Sequence, residues 1–353
     1  MRKTNKVAKI GILGAGKIGK TLATMLSHIT SCTVTLADKF ASTNVTQVDV
    51  TNPAELEAFV IGQHAIVNAM PYTMNKLVAA SCATHHKSYF DFSEDVETTE
   101  FVKNLAASGN MRPGQVMIPQ SGLAPGAINI IGADLIKGFD SVKTLEMRVG
   151  ALPCHANNEM KYYLSWSGAG LVNEYNKPCD ALWRGQHVKT MPLDGLEHIV
   201  LDGIPYEAFN TSGGVATMCE TYEGKVQELD YKTIRYPGHC ERMKFVMHDL
   251  NFGEHPELLT QIFEQQVPST NQDVVVIYVN AVGVVNGKST QRSYLKKVSH
   301  SLSHTAIQNT TAAGMSAVVE LWLSGKLADG FVRQENINFD EFTKTIWGSK
   351  IYG

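Results

Sequence analysis

The sequence predicts an α/β protein: an N-terminal Rossmann dinucleotide-binding domain followed by an α+β substrate and dimerisation domain with a mixed sheet. Three observations predict it. Apolar strand-like runs alternate with helical spacing through residue 120, a glycine-rich turn joins the first run to the first helix, and beyond about residue 140 longer strands are joined by polar turns. A chain of 353 residues has room for about two domains. The expected boundaries are 1–125 for the first, completed by a C-terminal segment at 303–353, and 126–302 for the second.

The stretch VAKIGILGAGKIGKTLATML opens with a β-rich run, turns through Gly14, Ala15 and Gly16, and resumes with Ile18, Leu22, Met25 and Leu26 at helical spacing. It reads as strand, tight turn, helix. TVTLADKF follows as a second strand ending in Asp38, and NVTQVDV as a third ending near Asp49. AELEAFV, HAIVNAMP, TMNKLVAASCATH and KSYFDF then alternate helix, strand, helix, strand. That alternation implies a parallel sheet covered on both faces. After PQSGLAPGAINIIGADLI, a turn feeding an apolar helix, Asn286-Gly287 marks a hairpin turn within DVVVIYVNAVGVVNGKSTQRSYLKKV. The tail returns to a long helix in which Ala306, Thr310, Ala313, Ala317 and Leu321 share a face. Small residues there predict close packing, back onto the first domain.

Composition narrows the function. Charged residues make up 18% of the chain against 44% hydrophobic, and the net charge of -3 is spread rather than blocked. This gives no electrostatic footprint for nucleic acid or an anionic membrane, so the expected partner is a small molecule. No run approaches the roughly 20 apolar residues of a membrane span. The basic start, residues 1–6, followed by an apolar run superficially resembles a signal peptide, but Lys9, Lys17 and Lys20 interrupt it. Six cysteines fall at no CxxC spacing, which indicates neither a zinc ribbon nor a thioredoxin-like pair and fits reduced thiols in a cytoplasmic protein. No metal site is expected. The hairpin strands at 271–298 offer an edge for pairing about a two-fold axis, so a homodimer is the default assembly.

Gly14, Gly16 and Gly19 form a GxGxxG between strand and helix, and Asp38 closes the next strand 19 positions after Gly19. That context makes a weak motif strong. The turn Gly14, Ala15, Gly16, Lys17, Ile18, Gly19 would bring backbone N-H groups and a helix N-terminus to a pyrophosphate. Asp38 would bind the adenosine ribose and favour NAD, while Lys39 beside it leaves NADP possible. Asp49 and Val50 would flank the adenine or merely cap a loop. Asn68, Ala69 and Pro71, at the end of the fourth strand, would line the nicotinamide ribose, with Gly122 in the floor beneath. Asp91, between two aromatics, is a candidate site residue; Ser93 to Asp95 read as a helix cap.

KTIRYPGHCERMKF, residues 232–245, crowds His239, Cys240, Glu241, Arg235 and Arg242 around one Pro-Gly turn. A metal would need partner ligands that no other stretch supplies. A Cys240–His239 nucleophile would set neighbouring side chains on a turn, where they diverge. A clamp presenting Arg235 and His239 to a charged substrate in the interdomain cleft is the functional reading, and a structural turn with solvent-facing charges is the plain one.

In motif order the chain resembles the saccharopine dehydrogenase superfamily, and within it most closely the lysine 6-dehydrogenases. The resemblance is carried nearly end to end by GAGKIG, VNAMPY, YFDFSED, SGLAPGAINIIGADL, SWSGAGLVNEYNKP, YKTIRYPGHCERMKF and TTAAGMSAVVELWLSGK. It implies an NAD(P)-dependent oxidoreductase that oxidatively deaminates an amino-acid side-chain amine. It also implies a departure, because glutamate-forming saccharopine dehydrogenases typically carry an arginine where this chain has Ala169. A saccharopine or carboxyspermidine-type reductase forming a secondary amine is the alternative, and a non-catalytic NAD(P)-sensing regulator is one of another class. His239 is the expected proton acceptor, Asp91 its rival or the amine anchor, and Arg235 the partner of the α-carboxylate. Trp166, Glu174 and Tyr175 either line the cleft or belong to the core.

Overall fold

The computed structural model describes residues 7–353; the basic start at residues 1–6 lies outside them. The chain forms two compact units, one built from residues up to Ile130 together with Thr310–Gly353, the other from Ile131–Asn309.

The first unit is a seven-stranded, wholly parallel sheet. Its elements in chain order are β1 Ala8–Leu13, α1 Lys17–Leu26, β2 Cys32–Asp38, β3 Thr46–Gln47, α2 Pro53–Ile61, β4 Ala65–Asn68, α3 Asn75–Thr84, β5 Ser88–Asp91, α4 Val96–Ala107, β6 Val116–Ile118 and the start of α5 Ala127–Leu135. Sheet order is β15-β6-β5-β4-β1-β2-β3, where β15 Gly330–Phe331 comes from the C-terminal segment. The central strands β4 and β5 are buried along their whole length, as strands covered on both faces must be. Their side chains join Leu56, Phe59, Val78, Cys82 and Val102 from α2, α3 and α4 in one apolar core. Helix starts follow local chemistry: the Asn52 side chain accepts the Ala54 N-H ahead of Pro53, and Asp95 accepts the Thr98 N-H at 2.9 Å to cap α4.

The second unit is an eight-stranded mixed sheet. Its strands are β7 Ser141–Pro153, β8 Cys179–Trp183, β9 Gln186–Thr190, β10 Glu197–Leu201, β11 Ile204–Asn210, β12 Val226–Arg235, β13 Asp273–Val285 and β14 Lys288–Ser299, ordered β10-β11-β12-β7-β13-β14 with β8 and β9 branching from β12. Only β12 and β7 run parallel. The β13–β14 hairpin turns at Asn286 and Gly287, both at positive φ, as the Asn-Gly pair predicts. Its helices are α6 Gly168–Glu174, α7 Met218–Tyr222, α8 His239–Lys244 and α9 Pro256–Gln266.

The structure departs from the strand reading between 239 and 266. There α8 runs into a π-helical turn at Phe245–Asp249 and then α9, and Met243, Met247, Leu259 and Phe263 are buried together. These apolar residues repeat at steps of four, the spacing of one helix face. The third strand is also shorter than expected, pairing only at Thr46–Gln47. α10 Ala306–Leu323 leads back to the first unit, followed by β15, α11 Phe339–Lys344 and α12 Ile346–Ile351.

Candidate functional site

In the first unit the glycine turn is shaped for a dinucleotide. Gly14 sits at φ 103°, and a Cβ there would lie 2.8 Å from the Ala69 carbonyl. A Cβ on Gly19 would fall 1.9 Å from the Gly14 oxygen, whereas one on Gly16 would meet nothing within 4 Å. The first and third glycines are therefore required by packing, while the second leaves open space at the start of α1. No side chain caps that helix. Open space before an uncapped helix N-terminus fits a pyrophosphate.

The flanking residues are held in place. The Asp38 carboxylate accepts the Ala15 N-H at 2.7 Å, which fixes the acidic strand end against the glycine turn. Lys39 Nζ lies 3.1 Å from Asp49 Oδ2. Hydrogen bonds from Thr51, then Lys39, pull the Asp49 carboxyl down to about 2. Val50 is buried in the core. Asn68 donates to the Asn75 side chain at 2.5 Å and accepts the Met70 N-H, so it shapes the turn through Ala69. Pro71 is exposed at the head of a short 3-10 turn, and Lys17 and Ile18 open α1.

Asp91 ends β5, fully buried. Its Oδ1 accepts the N-H groups of Ser93 at 2.8 Å and Gln120 at 3.1 Å, and its Oδ2 accepts the Tyr89 hydroxyl at 2.8 Å. Burial outweighs these donors and pushes its carboxyl up to about 6. Gly122 donates its N-H to Pro125 across a turn with a cis Ala124–Pro125 bond, and Gly314 of α10 packs against its carbonyl.

The stretch 232–245 belongs wholly to the second unit. Glu207 of β11 accepts the N-H groups of Gly238 at 2.7 Å and Cys240 at 2.6 Å, which starts α8. Burial pushes the Cys240 thiol up to about 12, leaving no thiolate for nucleophilic chemistry. Lys232 pairs with Glu197 at 2.8 Å, Arg242 with Glu159 at 3.0 Å and Lys244 with Asp194 at 2.9 Å. Arg235 is the exception: among the described residues no carboxylate reaches its guanidinium, although it is only 2% exposed.

Arg235 is instead cradled by aromatics and neutral acceptors. Its Nε donates to the Tyr175 hydroxyl at 3.0 Å and its Nη1 to the Ile234 carbonyl at 2.9 Å, and its centre lies 5.1 Å from the Tyr162 ring. Tyr175 also lies 3.0 Å from His239 Nε2, and His239 Nδ1 is 2.7 Å from the Met160 carbonyl. Burial first, then the charge of Arg235, holds the imidazole down to about 3. His239 and Arg235 thus share one buried cluster, and Tyr175 links them. Sequence reasoning weighed Tyr175 only as a lining or core residue; the motif SWSGAGLVNEYNKP contains it, but nothing in that motif shows that its hydroxyl meets Arg235 and His239. A second buried cation, Arg148 of β7, went unnoticed. It bonds Glu197 at 2.5 Å and Asp230 at 2.7 Å.

No helix among the described residues is long and apolar enough to cross a membrane. The family model for the saccharopine dehydrogenase NADP binding domain matches residues 10–112, and that for the saccharopine dehydrogenase C-terminal domain matches residues 122–348. Alpha-aminoadipic semialdehyde synthase, mitochondrial, from Mus musculus is 24% identical over 227 residues, covering 56% of this chain and 24% of that protein. Its Rattus norvegicus counterpart is 24% identical over 228 residues with the same coverage. The match therefore spans about a quarter of those relatives' length. Among solved structures, the apo saccharopine dehydrogenase (L-Glu forming) from Saccharomyces cerevisiae aligns over 96% of both chains with a TM-score of 0.77 and 14% identity. An engineered D-amino acid dehydrogenase bound to NADP+ aligns over 96% of this chain and 97% of its own, with a TM-score of 0.50 and 12% identity. At these identities the structural likeness shows the fold alone.

Proposed function

The chain belongs to the saccharopine dehydrogenase family, and from that premise we propose that it oxidatively deaminates the side-chain amine of an amino acid, as a lysine 6-dehydrogenase does. It is an NAD(P)-dependent oxidoreductase with a Rossmann-like cofactor domain. One observation carries the substrate class: Arg235, alone among the four cations of residues 232–245, has no carboxylate partner among the described residues. A buried guanidinium with no carboxylate within ion-pair distance, Glu174 acting on it only through its charge, is suited to bind one from a ligand, and an amino acid brings a carboxylate to pair with its remaining terminal nitrogen.

When bound, the nicotinamide supplies the hydride acceptor. Gly14 to Gly19 would hold the pyrophosphate, Asp38 the ribose of the adenosine, and the loop around Gly122 the nicotinamide end. In the substrate, the C-H bond on the amine-bearing carbon breaks with its electron pair leaving as hydride, and the nitrogen loses a proton, giving an imine. Water then adds to the carbon, and ammonia leaves. Asp91 is the proton acceptor this reading favours over His239, because burial sets its carboxyl at about 6 while the imidazole is held at about 3.

Saccharopine oxidation, with glutamate rather than ammonia leaving, is the second reading. The family models and the curated relatives support it. Ala169, an exposed residue in the first turn of α6, weighs against it, since a methyl group cannot pair with the second carboxylate of a glutamyl half. The deciding experiment follows nicotinamide absorbance with NAD and NADP against lysine, ornithine and saccharopine, with ammonia and glutamate measured alongside. Reduction with stoichiometric ammonia from lysine is the expected result. Activity confined to saccharopine with glutamate released would replace it, and cofactor binding without turnover on any of the three would overturn both.

A further inference from the structure

We propose that Tyr175 and His239 are positioning residues that aim Arg235 at the substrate carboxylate, and that His239 takes no proton from the substrate. This rests on the amino-acid reading above for the identity of the anion, but its hydrogen-bond chain stands on geometry alone.

The direction of every bond in the chain is forced. The Met160 carbonyl can only accept, so His239 Nδ1 carries the proton in the 2.7 Å contact. Arg235 Nε can only donate, so the Tyr175 oxygen accepts at 3.0 Å. Tyr175 then has its own proton to give, and His239 Nε2 is 3.0 Å away with a lone pair. The result is a neutral imidazole with both nitrogens engaged: Arg235 to Tyr175 to His239 to the Met160 carbonyl. A proton added at Nε2 would set two donors face to face and strand the Tyr175 hydroxyl in a buried site.

Burial and two nearby positive charges oppose that proton. Arg235 of β12 and Arg242 of α8 both act on the ring as positive charges. Tyr162, before α6, has its ring 5.3 Å from the imidazole, and Phe209 of β11 stacks on it at 6.3 Å. The imidazole is completely buried. Meanwhile Arg235, with Nε committed to Tyr175 and Nη1 to the Ile234 carbonyl, makes no hydrogen bond through Nη2 among the described residues. The chain therefore fixes two of the three guanidinium nitrogens and leaves one terminal nitrogen to meet an anion.

Two measurements test this. Steady-state kinetics on Tyr175→Phe, which removes the hydroxyl and keeps the ring, should show the KM for the amino acid rising roughly 10- to 100-fold, the weight of a hydrogen bond to a charged group. The kcat should change by less than about 3-fold, below about 0.7 kcal/mol, and NAD affinity should hold. With a diamine that lacks the carboxylate, wild type and variant should give the same KM. A loss in kcat with KM unchanged, or an equal loss on the diamine, overturns the aiming role. Nitrogen-15 NMR of histidine-labelled protein should show His239 as the neutral Nδ1-protonated tautomer throughout pH 5 to 9. Titration of that ring near its ordinary value overturns the proposal even if turnover is never found. Failure of the substrate reading leaves this spectrum unchanged, so the two ideas fail separately.

Discussion

Lys39 reaches back across the end of β2 to Asp49, with Nζ 3.1 Å from Oδ2. The lysine that stands next to Asp38, proposed above to hold the ribose, is therefore already paired, and on that proposal NAD is expected over its 2′-phosphorylated form. Asp49→Ala should release Lys39 and raise NADP affinity about 2- to 5-fold, the weight of an exposed ion pair, with NAD affinity little changed. Fluorescence titration with each reduced cofactor checks it. An unchanged NADP affinity would mean that Lys39 does not reach the phosphate.

The three glycines of the turn should behave differently. Gly16→Ala has room for its methyl, so the protein should fold normally while dinucleotide affinity falls at least about tenfold. Gly19→Ala forces a methyl onto the Gly14 carbonyl and should destabilise the first unit by about 1–3 kcal/mol. Thermal melts beside cofactor titrations separate the two effects.

Asp91 gives the first unit a pH dependence of unusual sign. Its carboxyl is raised in the folded state from 3.8 to about 6. Folding therefore favours the protonated form: the contribution is full below about pH 4 and is lost as pH rises through 6, about 3 kcal/mol in all. Asp91→Asn keeps an oxygen for the Ser93 and Gln120 N-H groups and should abolish this slope. It should also lower kcat by about 100-fold or more if Asp91 accepts the substrate proton. Hydrogen exchange of first-unit amides from pH 4 to 7, with kinetics at each pH, measures both. A variant with wild-type kcat would remove Asp91 from the chemistry.

Arg148 depends on partners far away in sequence. Glu197→Ala would leave its buried guanidinium with Asp230 alone and take the nearer carboxylate from Lys232. A loss of about 3–5 kcal/mol from the second unit is expected, read by urea denaturation. Glu197→Gln, which keeps one acceptor, should lose less.

The first unit was the more legible in the sequence because its signals are local. Gly14 to Gly19 and Asp38 lie within one strand-turn-helix-strand segment, and the short apolar runs 65–67 of β4 and 89–90 of β5, alternating with helical segments, point to strands of a covered parallel sheet. β15 escaped because two residues, Gly330 and Phe331, carry no periodicity and acquire strand geometry only by pairing with β6. In the second unit Arg235 and His239 stood out as neighbours in sequence, but Tyr175 is 60 residues from Arg235 and 64 from His239. Nothing short of the fold joins them. The same holds for Arg148, whose carboxylates lie 49 and 82 residues downstream. The helices α8 and α9 were missed for a different reason: their apolar spacing was present but lay in a region whose neighbours are all strands.

The first unit is discontinuous, and that has a consequence during synthesis. Until residues 310–353 have been made, β6 is an open edge, its β15 partner absent, and the turn at Gly122 lacks the close approach of Gly314. Gln334, which donates to Pro119 and Ser121 beyond β6, arrives later still. The nascent cofactor domain must therefore wait, partly assembled, while the whole of the second unit leaves the ribosome. A premature stop after residue 309 should yield an aggregation-prone chain with an exposed strand edge rather than a functional dinucleotide-binding fragment.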